Sequence, residues 1–67
     1  MISVVLNGEP RELGDAATVD DAVHAADAPD RGVAVAVDGA VVPRGSWAAT
    51  SLADGQRVEV LQAVQGG

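Results

Sequence analysis

Apolar and polar residues alternate at the start of the chain. Ile2, Val4 and Leu6 fall on one face of a strand over Ile2-Ser3-Val4-Val5-Leu6. Asn7-Gly8-Glu9-Pro10 reads as a turn, since Asn-Gly is a strong hairpin signal, and Arg11-Glu12-Leu13 returns as a short second strand. Pro10 has no amide hydrogen to donate, which suits the beginning of an edge strand. The period then changes. Thr18 can cap a helix, and Asp21 three residues on completes a weak capping box. Asp20 and Asp21 lie where the helix dipole favours negative charge. Val19, Ala22, Val23 and Ala26 recur at helical spacing and are predicted to face the core. Pro29 is the predicted stop, because the residue before a proline avoids helical geometry.

Val33 to Val37 is a third strand, Asp38-Gly39 a two-residue turn, and Ala40-Val41-Val42-Pro43 the returning strand. Gly45 to Ala53 lack clean periodicity and predict a loop with a short helical turn. After an Asp54-Gly55 turn, Arg57 to Val64 form the last strand. Two strands, a helix and three strands in so short a chain specify a two-layer α+β domain, a mixed sheet of four to five strands packed on one helix. The expected domain runs over residues 1–64, and Gln65, Gly66 and Gly67 form a flexible tail.

Composition adjusts this outline. The chain has 67 residues, and Ala and Val dominate its 48% hydrophobic fraction, with no Phe or Tyr. The core is therefore a sum of many small contributions. No cysteine is present, which removes disulfides, iron–sulfur ligation and thiol nucleophiles, and one His cannot assemble a zinc site alone. Val33-Ala34-Val35-Ala36-Val37 is far too short to cross a bilayer, and no basic stretch precedes the first apolar residues. A cytoplasmic protein without membrane contact is expected. A net charge of −6 disfavours nucleic acid. The same charge suits docking on a basic groove and equally keeps a small protein soluble. All four basic residues are Arg. The absence of Lys spares an activated carboxylate from internal capture, although a GC-rich genome accounts for it as well.

The final Gly66-Gly67 admits two readings. One is a frayed terminus. The other is that the terminal carboxylate is the working group, carried on a stem without Cβ atoms that can enter a narrow channel. Fully extended, the six residues after Leu61 span at most roughly 20 Å, farther than any side chain. On the last strand Val58 and Val60 are expected inward, with Glu59, Leu61 and Ala63 outward as docking contacts for a partner that acts on the tail.

An ordered set of segments carries a family resemblance over nearly the whole chain. The segments are Val5-Leu6-Asn7-Gly8-Glu9, Ala17-Thr18-Val19, Val35-Ala36-Val37-Asp38-Gly39, Val42-Pro43-Arg44 with Trp47, Asp54-Gly55-Gln56-Arg57-Val58-Glu59, and Gly66-Gly67. Together they resemble the ThiS family of sulfur carriers in thiamine biosynthesis, within the ThiS/MoaD branch of ubiquitin-like β-grasp proteins. Gln56 stands where many relatives carry Asp.

The resemblance implies a β-grasp fold and a carrier role for Gly67. A ThiF-like adenylyltransferase would use ATP and Mg2+ to convert the Gly67 carboxylate to an acyl-adenylate. A persulfide sulfur donor would displace AMP to leave a thiocarboxylate, and a ThiG-like thiazole synthase would take the sulfur. No cofactor would be bound by the chain itself, which has neither GxxxxGK[ST] nor GxGxxG. It would be a protein substrate, monomeric when free, and not an enzyme. A MoaD-like molybdopterin-synthase small subunit and a ubiquitin-like modifier remain as alternatives.

Other residues have plainer expectations. His24, with Asp20 and Asp27 on the same helix face, reads as a surface ion pair. Trp47 reads as cover for the small core. Arg44 either meets a partner or pairs with a surface carboxylate.

Overall fold

The computed structural model describes residues 1–29 and 31–62. Five strands form one sheet: β1 (Ile2–Leu6), β2 (Glu9–Leu13), β3 (Val33–Val37), β4 (Ala40–Val42) and β5 (Arg57–Gln62). Their spatial order is β2-β1-β5-β3-β4. The last strand therefore lies at the centre, parallel to β1 and antiparallel to β3. One helix, α1 (Val19–Ala25), packs on one face, and a 3-10 helix (Arg44–Ala49) follows β4. This is the expected α+β architecture: a mixed sheet with a single helix, consistent with the ubiquitin-like β-grasp.

The Asp38-Gly39 hairpin is the two-residue turn expected, and the Asn7-Gly8 hairpin is tighter than the four-residue turn expected over Asn7 to Pro10. Asn7 and Gly8 both have positive φ, 51° and 84°, and so do Asp38 and Gly39, 50° and 85°. That is the two-residue turn whose twist matches the flanking strands. As a result β2 begins at Glu9, two residues earlier than predicted, and Pro10 lies opposite Val5 on the outer edge of the sheet. β4 stops at Val42, and Pro43 becomes the N-cap of the 3-10 helix. Beyond Gln62, the expected run of β5 to Val64 lies outside the described residues.

With only seven residues, α1 is too short to hold itself together, so its ends and its packing must do so. The capping box forms. The Thr18 amide donates to Asp21 Oδ2 at 2.8 Å, and the Asp21 amide to Thr18 Oγ1 at 3.4 Å. Pro29 does not end the helix. Asp27 does, two residues before the proline, by turning left-handed at φ 57°. The amides of Asp27 and Ala28 then reach back to the carbonyls of His24 and Val23, at 3.0 and 3.3 Å. This closes the helix in the 6→1 and 5→2 pattern that usually employs Gly. The Arg11 guanidinium on β2 donates to the Ala25 carbonyl, satisfying another acceptor of the last turn. With Asp27 diverted into the cap, no ion pair joins His24 to Asp20 or Asp27 among the described residues, contrary to expectation.

The core lies between α1 and the sheet. Val4, Val19, Val35 and Val58 are its largest fully buried side chains. Burying each contributes about 1.5–3 kcal/mol. Leu6, Val23, Leu52 and Val60 extend the cluster, and Trp47 closes it as expected. The Trp47 indole N–H donates to the Val42 carbonyl at 2.9 Å, so this large ring is buried without leaving its one polar atom unpaired. The Arg44 guanidinium sits over the ring, 5.5 Å from its centre. Arg44 thus covers the indole, a role that neither expectation for it included.

Candidate functional site

β5 is the element that the sequence marks as functional, and alternation divides it cleanly. Val58 and Val60 are buried, whereas Arg57, Glu59 and Leu61 face away from the helix and are exposed. Leu61 is 61% exposed, high for a large apolar side chain in the middle of a sheet. The reason lies in its neighbours. Leu61 pairs with Ala34 and Glu59 with Ala36, and these short side chains cover little of the longer ones opposite. Ala36 in turn pairs with Val41, which is 75% exposed. The outer face therefore presents an apolar shelf of Leu61, Ala34, Ala36 and Val41, with the Glu59 carboxylate and the Arg57 guanidinium beside it. Val41 and the two alanines were not singled out from sequence, although the same period-two rule that turned Leu61 outward also assigns them to that face.

Ala63, Gln65, Gly66 and Gly67, the other residues of the expected site, lie outside the described residues. β5 itself is held most firmly at its start, the end away from those residues. Its first residues are clamped from both sides. The Asp38 carboxylate accepts the Arg57 amide at 3.0 Å and the Gln56 side-chain amide at 3.2 Å. Gln56 Oε1 accepts the Ala53 amide at 2.8 Å. On the β1 side, the Asp54 carboxylate accepts the Ser3 amide at 2.7 Å, and the Gly55 amide donates to the Ser3 carbonyl at 2.7 Å. Further along, Asn7 Oδ1 accepts the Val60 amide at 2.8 Å. The sequence alone marks Asn7, Asp38 and Asp54 as turn formers. Each also uses its side-chain oxygen to bind a distant backbone amide, and Gln56 is the spacer joining two of these clusters.

The remaining features offer no chemistry of their own. A cleft of about 340 Å3 opens between the β1–β2 turn and the end of α1, lined by Leu6, Asn7, Glu9, Arg11, Ala25, Ala26 and Asp27. His24 is exposed on α1. Among the described residues no grouping of His, Asp and Glu could hold a metal ion. No helix among them is long and apolar enough to cross a membrane.

Comparison with known proteins adds two findings. The ThiS family model matches residues 4–67. A crystal structure of the thiamine biosynthesis protein ThiS from Geobacter metallireducens superposes with a TM-score of 0.80 at 28% identity, covering 98% of this chain and 100% of that one. No curated protein matches the chain.

Proposed function

This chain belongs to the ThiS family, and on that premise we propose that it is a sulfur carrier of thiamine biosynthesis whose Gly67 carboxylate bears the sulfur. The observation that carries this reading is the family match, which runs through Gly66 and Gly67. The outward set on β5 supports it, since a partner acting on the residues after Gln62 needs a surface on the strand leading to them.

The chemistry divides between carrier and partners for a physical reason. A carboxylate anion is a poor electrophile at neutral pH, so it must first be activated. An adenylyltransferase supplies ATP and Mg2+. The Gly67 carboxylate attacks the α-phosphorus, pyrophosphate leaves, and an acyl-adenylate forms. The outer sulfur of a donor persulfide then attacks the acyl carbon and expels AMP. A thiol reduces the acyl disulfide so formed, leaving the thiocarboxylate and a new disulfide on the donor side. Thiazole synthase consumes the thiocarboxylate and regenerates the carboxylate. The chain is the protein substrate of these steps, and its work in them is to be held by Glu59, Leu61 and Ala63 while its terminus reacts. A cytoplasmic location goes with this reading, since the steps consume ATP.

Incubation with ATP, Mg2+, a ThiF-like adenylyltransferase and a persulfide donor, followed by intact-mass measurement, tests the reading. The expected product has one oxygen replaced by sulfur, with pyrophosphate released beforehand. An unchanged mass with no pyrophosphate overturns the reading. Conjugates to other proteins in cells would assign the chain to ubiquitin-like modification instead.

A further inference from the structure

β5 has a strand on each side, but the two pairings do not end together: β1 pairs with Arg57 and Val58, and β3 with Val58 to Gln62. On the β3 side pairing continues through Leu61 opposite Ala34 and Gln62 opposite Val33. On the β1 side the pairing is parallel. The Val5 amide donates to the Gln56 carbonyl and the Asn7 amide to the Val58 carbonyl, both at 2.9 Å. The next bond of that ladder would bring the Val60 amide to the backbone carbonyl of residue 7. Asn7, however, has already turned left-handed at φ 51° to enter the hairpin. Its side-chain oxygen takes the Val60 amide instead, at 2.8 Å. Among the described residues this is the last hydrogen bond on that side of β5.

We propose that Asn7 is a positioning residue for the activation of Gly67. Its side-chain oxygen extends the parallel ladder by one bond and so fixes the direction in which the chain leaves the sheet. The proposal rests on the sulfur-carrier reading. The position asks for two properties at once, a residue that accepts a positive φ and an acceptor reaching one residue farther than the backbone. Asn supplies both, Asp supplies both, and Gly supplies only the first. A last strand that splays at Val60 aims its terminus over a wider cone, so a smaller fraction of docked carriers is aligned for attack on ATP.

The substitutions Asn7→Gly and Asn7→Asp separate the acceptor from the turn. The measurement is ATP-dependent pyrophosphate release by the adenylyltransferase, with the carrier as the varied substrate. Because the carrier is the substrate, partial unfolding or weaker docking lowers its effective concentration or affinity, raising KM and sparing kcat. Misalignment after docking lowers kcat at unchanged KM. Loss of one hydrogen bond predicts a kcat for Asn7→Gly roughly three- to tenfold below wild type. Asn7→Asp is expected near the wild-type value. In the free chain, hydrogen exchange at the Val60 amide is expected to quicken in Asn7→Gly and not in Asn7→Asp. An unchanged kcat for Asn7→Gly, a change confined to KM, no rescue by Asn7→Asp, or unaltered exchange at Val60 each overturns the proposal. If the wild-type chain itself releases no pyrophosphate, the carrier reading has failed first and the proposal falls with it. The exchange data still report separately on whether the bond exists.

Discussion

The Trp47 indole N–H donates to the carbonyl of Val42 across 2.9 Å, tying the 3-10 helix to the end of β4. The ring is buried in a core otherwise built mainly of Val, Ala and Leu. Trp47→Ala is therefore expected to cost about 3–5 kcal/mol. Trp47→Phe keeps most of the apolar area but leaves a carbonyl unpaired, at a cost of about 1–3 kcal/mol. Urea denaturation followed by circular dichroism measures both. Equal midpoints for Trp47→Phe and wild type would show that the hydrogen bond contributes nothing.

Asp38 supports β5 in two ways, through its left-handed backbone and through the carboxylate that binds the Arg57 amide and Gln56. Asp38→Ala loses both and is expected to destabilise by about 1–3 kcal/mol. Asp38→Gly retains the backbone freedom and is expected to lose less, and Asp38→Asn least of all. The red shift of Trp47 fluorescence on unfolding ranks the three. An order in which Gly is worse than Ala contradicts the backbone part of this account.

Asp27 occupies the left-handed position that ends α1, with φ 57°, where glycine is the usual residue. Its carboxylate also lies at the negative end of the helix dipole. Replacing it with glycine is expected to stabilise the domain by about 0.5–1 kcal/mol. The check is a higher melting temperature for Asp27→Gly; a lower one would mean that the carboxylate has a favourable partner in solution.

Leu61 is exposed on β5, so Leu61→Asp has little packing to lose in the free domain. In the proposed complex it places a charge at the docking shelf. The expected result is a melting temperature within a few degrees of wild type and an adenylyltransferase KM raised about tenfold or more. An unchanged KM removes Leu61 from the docking surface.

Deleting Gly67, or extending the chain beyond it with a tag, is expected to abolish adenylation while leaving unfolding by urea unchanged. Normal loading of either variant would exclude the Gly67 carboxylate as the carrier of sulfur.

How far the fold could be read from sequence depended on the range of the forces involved. Asn7-Gly8 and Asp38-Gly39 were legible because their turn geometry is decided within two residues. The capping box at Thr18 was legible for the same reason. The end of α1 was not, because a proline is a visible stop, whereas Asp27 ends the helix only once its backbone adopts a conformation that few non-glycine residues take. The outward turn of Leu61 followed from alternation, but the shelf around it needed the register that sets Ala34 opposite Leu61 and Val41 opposite Ala36. The second duties of Asn7, Asp38 and Gln56 were hidden for a further reason. Asn7 and Val60 are 53 positions apart in sequence, and no local rule brings them together.

The central placement of β5, parallel to β1, has a mechanical consequence. A load drawing β5 forward past Gln62, opposed by one drawing β1 backward from Ile2, slides the two strands along their shared axis. The hydrogen bonds between them then bear the strain together, in shear, and cannot open one after another like a zipper. Traction on the chain beyond Gln62 is thereby spread over the sheet's middle.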